Sequence, residues 1–359
     1  MAHQEVMKLD RGVFMISLDF EMIWGTLDLL GPDRFRKACE VERARVIDRL
    51  LELLIEYELP ATWFVVGHLL LDRCDAEGGV KHPEIVRPSH AWATGDWFKH
   101  DPCGCEEDGS VFLGRSLIEK IRASPISQEI GCHSFSHIVF GDPGCSRAAA
   151  VSELEACVRL ASDMGIEMRS FAFPRNKVGH LDVLREYGFA CYRGPEPECR
   201  LLGYLPDSIK RLSNLWRVIT ASQPPVGLPE LTDSGLWMIP GSMIYFPMRG
   251  LRRYVPVQAR VRRAIKGLDA AAREKRIFHL WFHPTNLADG LKPMFAGLRR
   301  IVEYACSLLT KGQLDTPRMA SLIPAESMKT GAGFNSGSLE SEVDWSFSSR
   351  ETVSDGIPR

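Results

Sequence analysis

Gly131-Cys132-His133-Ser134-Phe135-Ser136-His137 places two imidazoles four residues apart, directly after a short apolar run, Glu129 to His133, that reads as a β-strand. On a helical turn, residues four apart share one side, so the two rings can chelate a single cation. Ser134 and Ser136 are small enough to leave the mouth of such a site open. Cys132 alternates away from His133 in a strand and is expected in the core. Two carboxylates, Asp19 and Glu21, lie at the end of another expected strand, Gly12 to Asp19, where residues two apart point to the same face. His283 ends a third such run, Ile277 to His283. Histidines and carboxylates gathered at strand ends are the raw material of a divalent-metal hydrolase.

Working outward from these runs, strand and helix signals alternate. Strands are expected over Gly12–Asp19, Ala61–Val66, Glu129–His133, Ser170–Pro174, Phe189–Arg193, Leu236–Ser242 and Ile277–His283. Helices are expected over Glu40–Tyr57, from a Ser146 cap to Met164, over His180–Tyr187 and Val257–Ala272, and from Pro293 to about Leu309. About seven alternations argue an α/β fold with a parallel sheet, and a barrel over an open sheet. Residues 1–328 are expected to form one domain with loop insertions near 71–114 and 195–234. Loops of that length are uncommon unless functional. From Lys329 onward Gly, Ser, Glu and Thr dominate, and a disordered polar tail over 329–359 is expected.

The chain has 359 residues, 45% hydrophobic and 25% charged, with a formal net charge of −2. That balance offers no general electrostatic attraction for nucleic acid. Arginines cluster at Arg249, Arg252, Arg253, Arg260, Arg262 and Arg263, either as a solvated helix face with its loop or as a local site for a phosphate or acidic sugar. Met1 to Asp10 lacks the apolar core of a signal peptide, and no run has the length of a membrane helix. A cytoplasmic protein with reduced cysteines is the expectation for its ten cysteines. Cys103-Gly104-Cys105 is too tightly spaced for a zinc knuckle.

Each candidate residue has a structural alternative. Glu21 can have left the strand for solvent. His283 can be a polar strand cap, or a general acid that titrates near neutral pH. His279 shares its parity but lies about 13 Å deeper at 3.3 Å per residue, which favours a core or supporting role. Arg175 and Asn176, after the strand ending at Pro174, are candidates for gripping an anionic or hydroxylated substrate. Asp96 and Trp97, with Trp92 and His100, are candidates for a lid or sugar platform within the 71–114 segment. Both pairs can equally be ordinary surface residues.

Together these motifs resemble the NodB-homology polysaccharide deacetylases. Ser17-Leu18-Asp19-Phe20-Glu21 is similar to that family's first, acidic motif. His133-Ser134-Phe135-Ser136-His137 fits its H-[ST]-x-x-H motif, and Leu280-Trp281-Phe282-His283 is similar to its last. The resemblance spans roughly residues 12 to 310. It implies a distorted (β/α)-barrel and a hydrolase dependent on one divalent metal, zinc first, with cobalt, nickel or iron possible. It also implies Asp19 as general base, His133 and His137 as metal ligands and His283 as general acid. The family places a second aspartate where this chain has Phe20, so Glu21 is the expected third ligand by strand parity. If Glu21 does not reach, Asp19 ligates and the base is unassigned. The family's third motif has an Arg before its Pro, where this chain has Phe171 and Ala172, so that Arg's role does not carry over.

The function implied is removal of an N-acetyl or related acyl group from an intracellular amino sugar, sugar nucleotide, glycan precursor or small metabolite. The Asp-x-Glu spacing also points to branches that cleave cyclic amides, as allantoinase does. A non-catalytic carbohydrate-binding protein on the same scaffold is the third alternative.

Overall fold

The computed structural model describes residues 5–27, 33–106, 111–196, 217 and 219–324. The expected tail lies outside them, as does much of the 195–234 insertion. Eight strands build the core: β1 Gly12–Phe20, β2 Thr62–Val65, β3 Glu129–Cys132, β4 Ser170–Ala172, β5 Cys191–Gly194, β6 Trp237–Pro240, β7 Met243–Ile244 and β8 Ile277–Phe282. All pair in parallel, in the order β7-β8-β1-β2-β3-β4-β5-β6. Glu230–Leu231 adds antiparallel to β6, and Leu314–Asp315 pairs with the start of β1.

The two ends of this sheet belong to one stretch of chain. β6 pairs with β5, the backbone turns at Gly241 and Ser242, and β7 pairs with β8. Gly241 N–H donates to the Gly194 carbonyl and Ser242 N–H to the His279 carbonyl, each at 3.0 Å. With β6 and β7 counted as one bent strand, the sheet closes into a distorted seven-stranded (β/α)-barrel.

Strand alternation divides the apolar residues between two cores. Val13, Met15, Phe64, Ala172, Cys191, Trp237, Ile239 and Ile277 fill the barrel, with Met319 and Ile323 packed against them. Phe14, Ile16, Leu18 and Phe20 face the surrounding helices, as does Cys132. Every residue of β1 is buried, the near-continuous apolar pattern of a strand covered on both faces.

The helices follow the expected stripes with shifted ends. α1 Asp33–Val41 runs through a π turn, Glu42–Val46, into α2 Ile47–Glu56. α3 Arg115–Arg122 occupies a stretch the sequence reading left unassigned. In α4, Arg147–Asp163, the Ser146 side chain accepts from Ala149 N–H as the N-cap. α5 Leu181–Glu186 and α6 Val257–Glu274 follow. α7 Thr285–Ala288 is a single turn. α8 Leu291–Thr310 begins two residues before Pro293. That position is tolerated because first-turn N–H groups have no helical acceptor. The 71–114 segment is not wholly irregular: it carries two small ribbons, Arg73–Cys74 with Gly104–Cys105 and Ala76–Glu77 with Val80–Lys81.

Candidate active site

β1 delivers Asp19 inward at its last turn of pleat, and Glu21 follows just past the strand end. The two are 2% and 8% exposed, so neither carboxylate is solvated in the ordinary way. Glu21 Oε1 lies 2.9 Å from His133 Nε2, 3.2 Å from His137 Nε2 and 3.3 Å from His283 Nε2. Three imidazoles from two distant chain segments thus converge on one carboxylate oxygen. His283 Nε2 is also 3.9 Å from Asp19 Oδ2. Its side chain is the most open of the five, at 28% exposed. The close packing of Glu21 depends on Gly25: a Cβ there would sit 1.7 Å from Glu21 Oε2.

The two loop histidines do not meet on a helical turn, which corrects the local reading above. Residues 133–137 form an irregular loop in which Ser134 (φ 58°) and His137 (φ 63°) are left-handed. This conformation is costly for non-glycine residues. Glu153, buried on α4, holds it in place. Its carboxylate accepts from Phe135 N–H at 2.7 Å, Ser136 N–H at 2.8 Å and Ser136 Oγ at 2.5 Å. His133 Nδ1 donates to the Ala172 carbonyl at 2.7 Å. A carbonyl can only accept, so the Nδ1 proton is fixed and Nε2 is left to face Glu21.

Asp19 is held by a residue the sequence reading missed. Arg193, inward on β5, donates from Nη1 to Oδ1 at 2.6 Å and from Nη2 to Oδ2 at 2.7 Å. Arg193 also donates to Ser17 Oγ at 3.1 Å, and Ser17 Oγ is 2.8 Å from His279 Nε2. His279 therefore supports the site from below. Burial, reinforced by the Arg193 charge, pushes its pKa down to about 3, so the ring is neutral. Arg193 was readable in principle, because it shares strand parity with Cys191. A charge closing an apolar run is ordinarily taken as its solvent end.

The charges follow from this geometry. Burial alone would raise the Asp19 pKa, but the charge and hydrogen bonds of Arg193 outweigh it and the net shift is downward. Burial of Glu21 is likewise outweighed, by His283, His137 and His133, and its pKa falls well below the usual range. Burial disfavours the charged form of His283, yet Glu21 and then Asp19 raise its pKa to about 9. Glu42, in the π turn behind the site, moves the other way. Burial and then the Glu21 charge raise its pKa well above normal, so it is the neutral acid of the group.

The remaining candidates lie elsewhere. The Arg175 guanidinium stacks on Trp92, 4.6 Å from the ring centroid. Asn176 sits in the same turn after β4, with φ 53°. Trp97 Nε1 donates to the Ser136 carbonyl at 3.0 Å, which places that indole against the histidine loop. Asp96 accepts from Arg87 Nε at 3.0 Å and Phe98 N–H at 2.9 Å. In the arginine run, Arg260 donates to the Val255 and Arg252 carbonyls and Arg263 to the Ser222 carbonyl.

No family model and no curated relative matches the chain. Solved structures do. A protein from Mycobacterium smegmatis assigned as a polysaccharide deacetylase superposes with TM-score 0.54 at 13% identity, over 89% of this chain and 93% of that one. One from Pseudomonas aeruginosa PAO1, assigned likewise, gives 0.51 at 13% identity over 86% and 88%. Puue allantoinase gives 0.51 at 14% identity over 86% and 87%. The chain has the fold of the NodB-homology polysaccharide deacetylases, which allantoinase shares.

Proposed function

We propose that residues 1–328 form one catalytic domain, a metal-dependent hydrolase that removes an acyl group from an amidated amino sugar or related small molecule. The observation that carries this reading is the convergence of Glu21 with His133, His137 and His283 beside an ionised Asp19. The donor set fits a metal: one carboxylate and two imidazoles, all buried, with the tautomer of His133 fixed by Ala172. A divalent ion held by Glu21, His133 and His137, with zinc the first choice, would supply a Lewis acid and lower the pKa of a water toward about 7.

The protein's own groups supply the proton traffic. Asp19, kept ionised by Arg193, takes the proton of the attacking water; the guanidinium bonds leave a lone pair on each carboxylate oxygen free to do so. His283, open to the mouth and drawn toward its protonated form by Glu21 and Asp19, gives a proton to the leaving nitrogen. Trp97, bonded to the histidine loop, and Arg175, stacked on Trp92, are the candidates on which a sugar ring would stack and bond, with Asp96 and Asn176 beside them in sequence. All nine described cysteines are free thiols, in keeping with a reducing, cytoplasmic setting. Among the described residues no helix is long and apolar enough to cross a membrane. A small intracellular substrate, such as a sugar nucleotide or glycan precursor, suits these features.

The Asp19-Phe20-Glu21 spacing and the likeness to allantoinase favour one second reading, hydrolysis of a cyclic amide at the same centre. Acetate release from N-acetylated sugars and sugar nucleotides, run beside ring opening of cyclic ureides, separates the two. His133→Ala is expected to lose the metal of this centre and all activity. An active enzyme with no metal at this centre refutes the scheme.

A further inference from the structure

We propose that His68, Cys74, His82 and Asp101 form a second, closed metal site of zinc type, separate from the catalytic centre, that fastens the 67–106 segment beneath the histidine loop. Their donor atoms already converge. His68 Nε2 is 3.0 Å from His82 Nε2 and 3.1 Å from Asp101 Oδ2. Cys74 Sγ is 3.1 Å from His82 Nε2 and 3.2 Å from Asp101 Oδ2. His82 Nε2 is 3.3 Å from Asp101 Oδ2. Zinc bonds of about 2.0–2.3 Å imply tetrahedral edges of roughly 3.3–3.8 Å. Of the five edges these contacts give, one stands at the short end of that range and four fall just below it, as in a slightly contracted tetrahedron.

The orientation of the two rings aims their donors at a common centre. His68 Nδ1 donates to the Phe112 carbonyl at 3.0 Å. His82 Nδ1 faces Glu84 Oε1 at 3.5 Å. With each Nδ1 directed outward, both rings turn Nε2 inward, toward a carboxylate and a sulfur. Without a metal, the Cys74 S–H donated to Asp101 and a proton on His82 bridge these atoms; a divalent ion would displace those protons and take all four atoms as ligands. Outer partners that orient the rings in this way accompany metal-bound histidines. All four residues are buried, at 0%, 3%, 7% and 1% exposed, so no position is left open for a substrate. A closed set of one thiolate, two imidazoles and one carboxylate is the chemistry of a structural zinc ion.

The surrounding chain carries little regular structure, though Ile85 and Phe98 are buried in it and Lys81 and Arg87 bond its backbone carbonyls. Its ribbons are two residues per strand, too short to be stable alone. The staple reaches the catalytic loop directly. Gly67 N–H donates to the Ser134 carbonyl at 2.8 Å and His68 N–H to the Phe135 carbonyl at 2.9 Å. The Phe135 ring packs on His68 and His82, with centroids 5.5 and 5.2 Å away. The second ion would thus support the backbone between His133 and His137.

Metal analysis of the purified chain tests this. Two equivalents per chain are expected, with one retained by His133→Ala. Cobalt substitution gives a specific signature, because Cys74 is the sole thiol in either donor set. A near-ultraviolet thiolate-to-cobalt band should persist in His133→Ala and vanish in Cys74→Ala. If Cys74→Ala fails to fold, the other arm still decides. A cobalt-loaded wild-type protein without the band, or a metal-free His133→Ala protein, overturns the proposal. So does thiol counting that finds Cys74 and Cys103, whose sulfurs lie 3.3 Å apart, joined as a disulfide.

Discussion

Replacing Arg193 by Met strips the counter-ion from a buried carboxylate. Asp19 and Arg193 side chains are 3% and 1% exposed and meet through two charge-assisted bonds. At an effective dielectric of about 20, unit charges about 4 Å apart attract by about 4 kcal/mol. Removing one member of a buried pair costs about 3–5 kcal/mol by direct measurement in other proteins. Met fills much of the space between Phe64 and Trp281, on which the guanidinium stacks, so lost packing adds little. Urea unfolding of Arg193→Met should therefore show a loss of about 3–5 kcal/mol, a large share of the roughly 5–15 kcal/mol typical of a domain. The pH dependence gives a sharper reading. In the wild type the folded-state pKa of Asp19 is depressed, so its contribution is present above the unfolded value of about 3.9 and is lost as pH falls through the folded one. In the variant burial dominates and the folded pKa rises, so stability is lost as pH rises. The gap between the two proteins must widen from acid toward neutral pH. Asp19→Asn combined with Arg193→Met should cost less than the sum of the single changes. A loss under about 1 kcal/mol, or a gap that narrows toward neutral pH, refutes the reasoning.

Gly25→Ala puts a methyl group against Glu21 Oε2. Metal affinity of the catalytic centre should fall about 10–100-fold, read by chelator competition. His283→Asn should lower kcat/KM by about 10²–10⁴-fold. It should also abolish the alkaline limb that deprotonation of the wild-type ring, its pKa raised by the nearby carboxylates, imposes on the pH profile. Glu153→Ala leaves Phe135 N–H, Ser136 N–H and Ser136 Oγ without their buried acceptor. It should cost about 2–4 kcal/mol in thermal unfolding, with Glu153→Gln milder because its amide can still serve all three groups.

Much of the barrel was readable because each strand signal was local. Gly12–Phe20, Thr62–Val65 and Ile277–Phe282 fall within two residues of their expected ends. Asp19, Glu21, His133, His137 and His283 were legible as residue types at strand ends. The geometry of the histidine pair was not, because the turn is set by Glu153 on a later helix and by two left-handed residues. Arg193 was missed for the same physical reason: its partner Asp19 is 174 positions away, and no local pattern records a contact across a barrel. The second donor cluster escaped notice likewise. His68, Cys74, His82 and Asp101 follow no knuckle spacing, and a long polar segment hides which side chains fold inward. Cys103-Gly104-Cys105 is the conspicuous cysteine pair in the sequence, yet Cys74 is the thiol that faces the two histidines and Asp101.

β1 lies between β2 and β8, so this early strand of the barrel takes one of its partners from a strand more than 250 residues later. As the chain leaves the ribosome, β2 can pair with β1 soon after Val65 emerges. The other edge of β1 must wait for Ile277–Phe282. For most of synthesis the sequence GVFMISLDF therefore carries an open row of peptide N–H and carbonyl groups beside apolar side chains, the template on which nascent chains aggregate. Chaperone cover of this edge is the natural remedy. Chains cut short before β8 lose more than His283: they keep a sticky edge that the complete barrel hides.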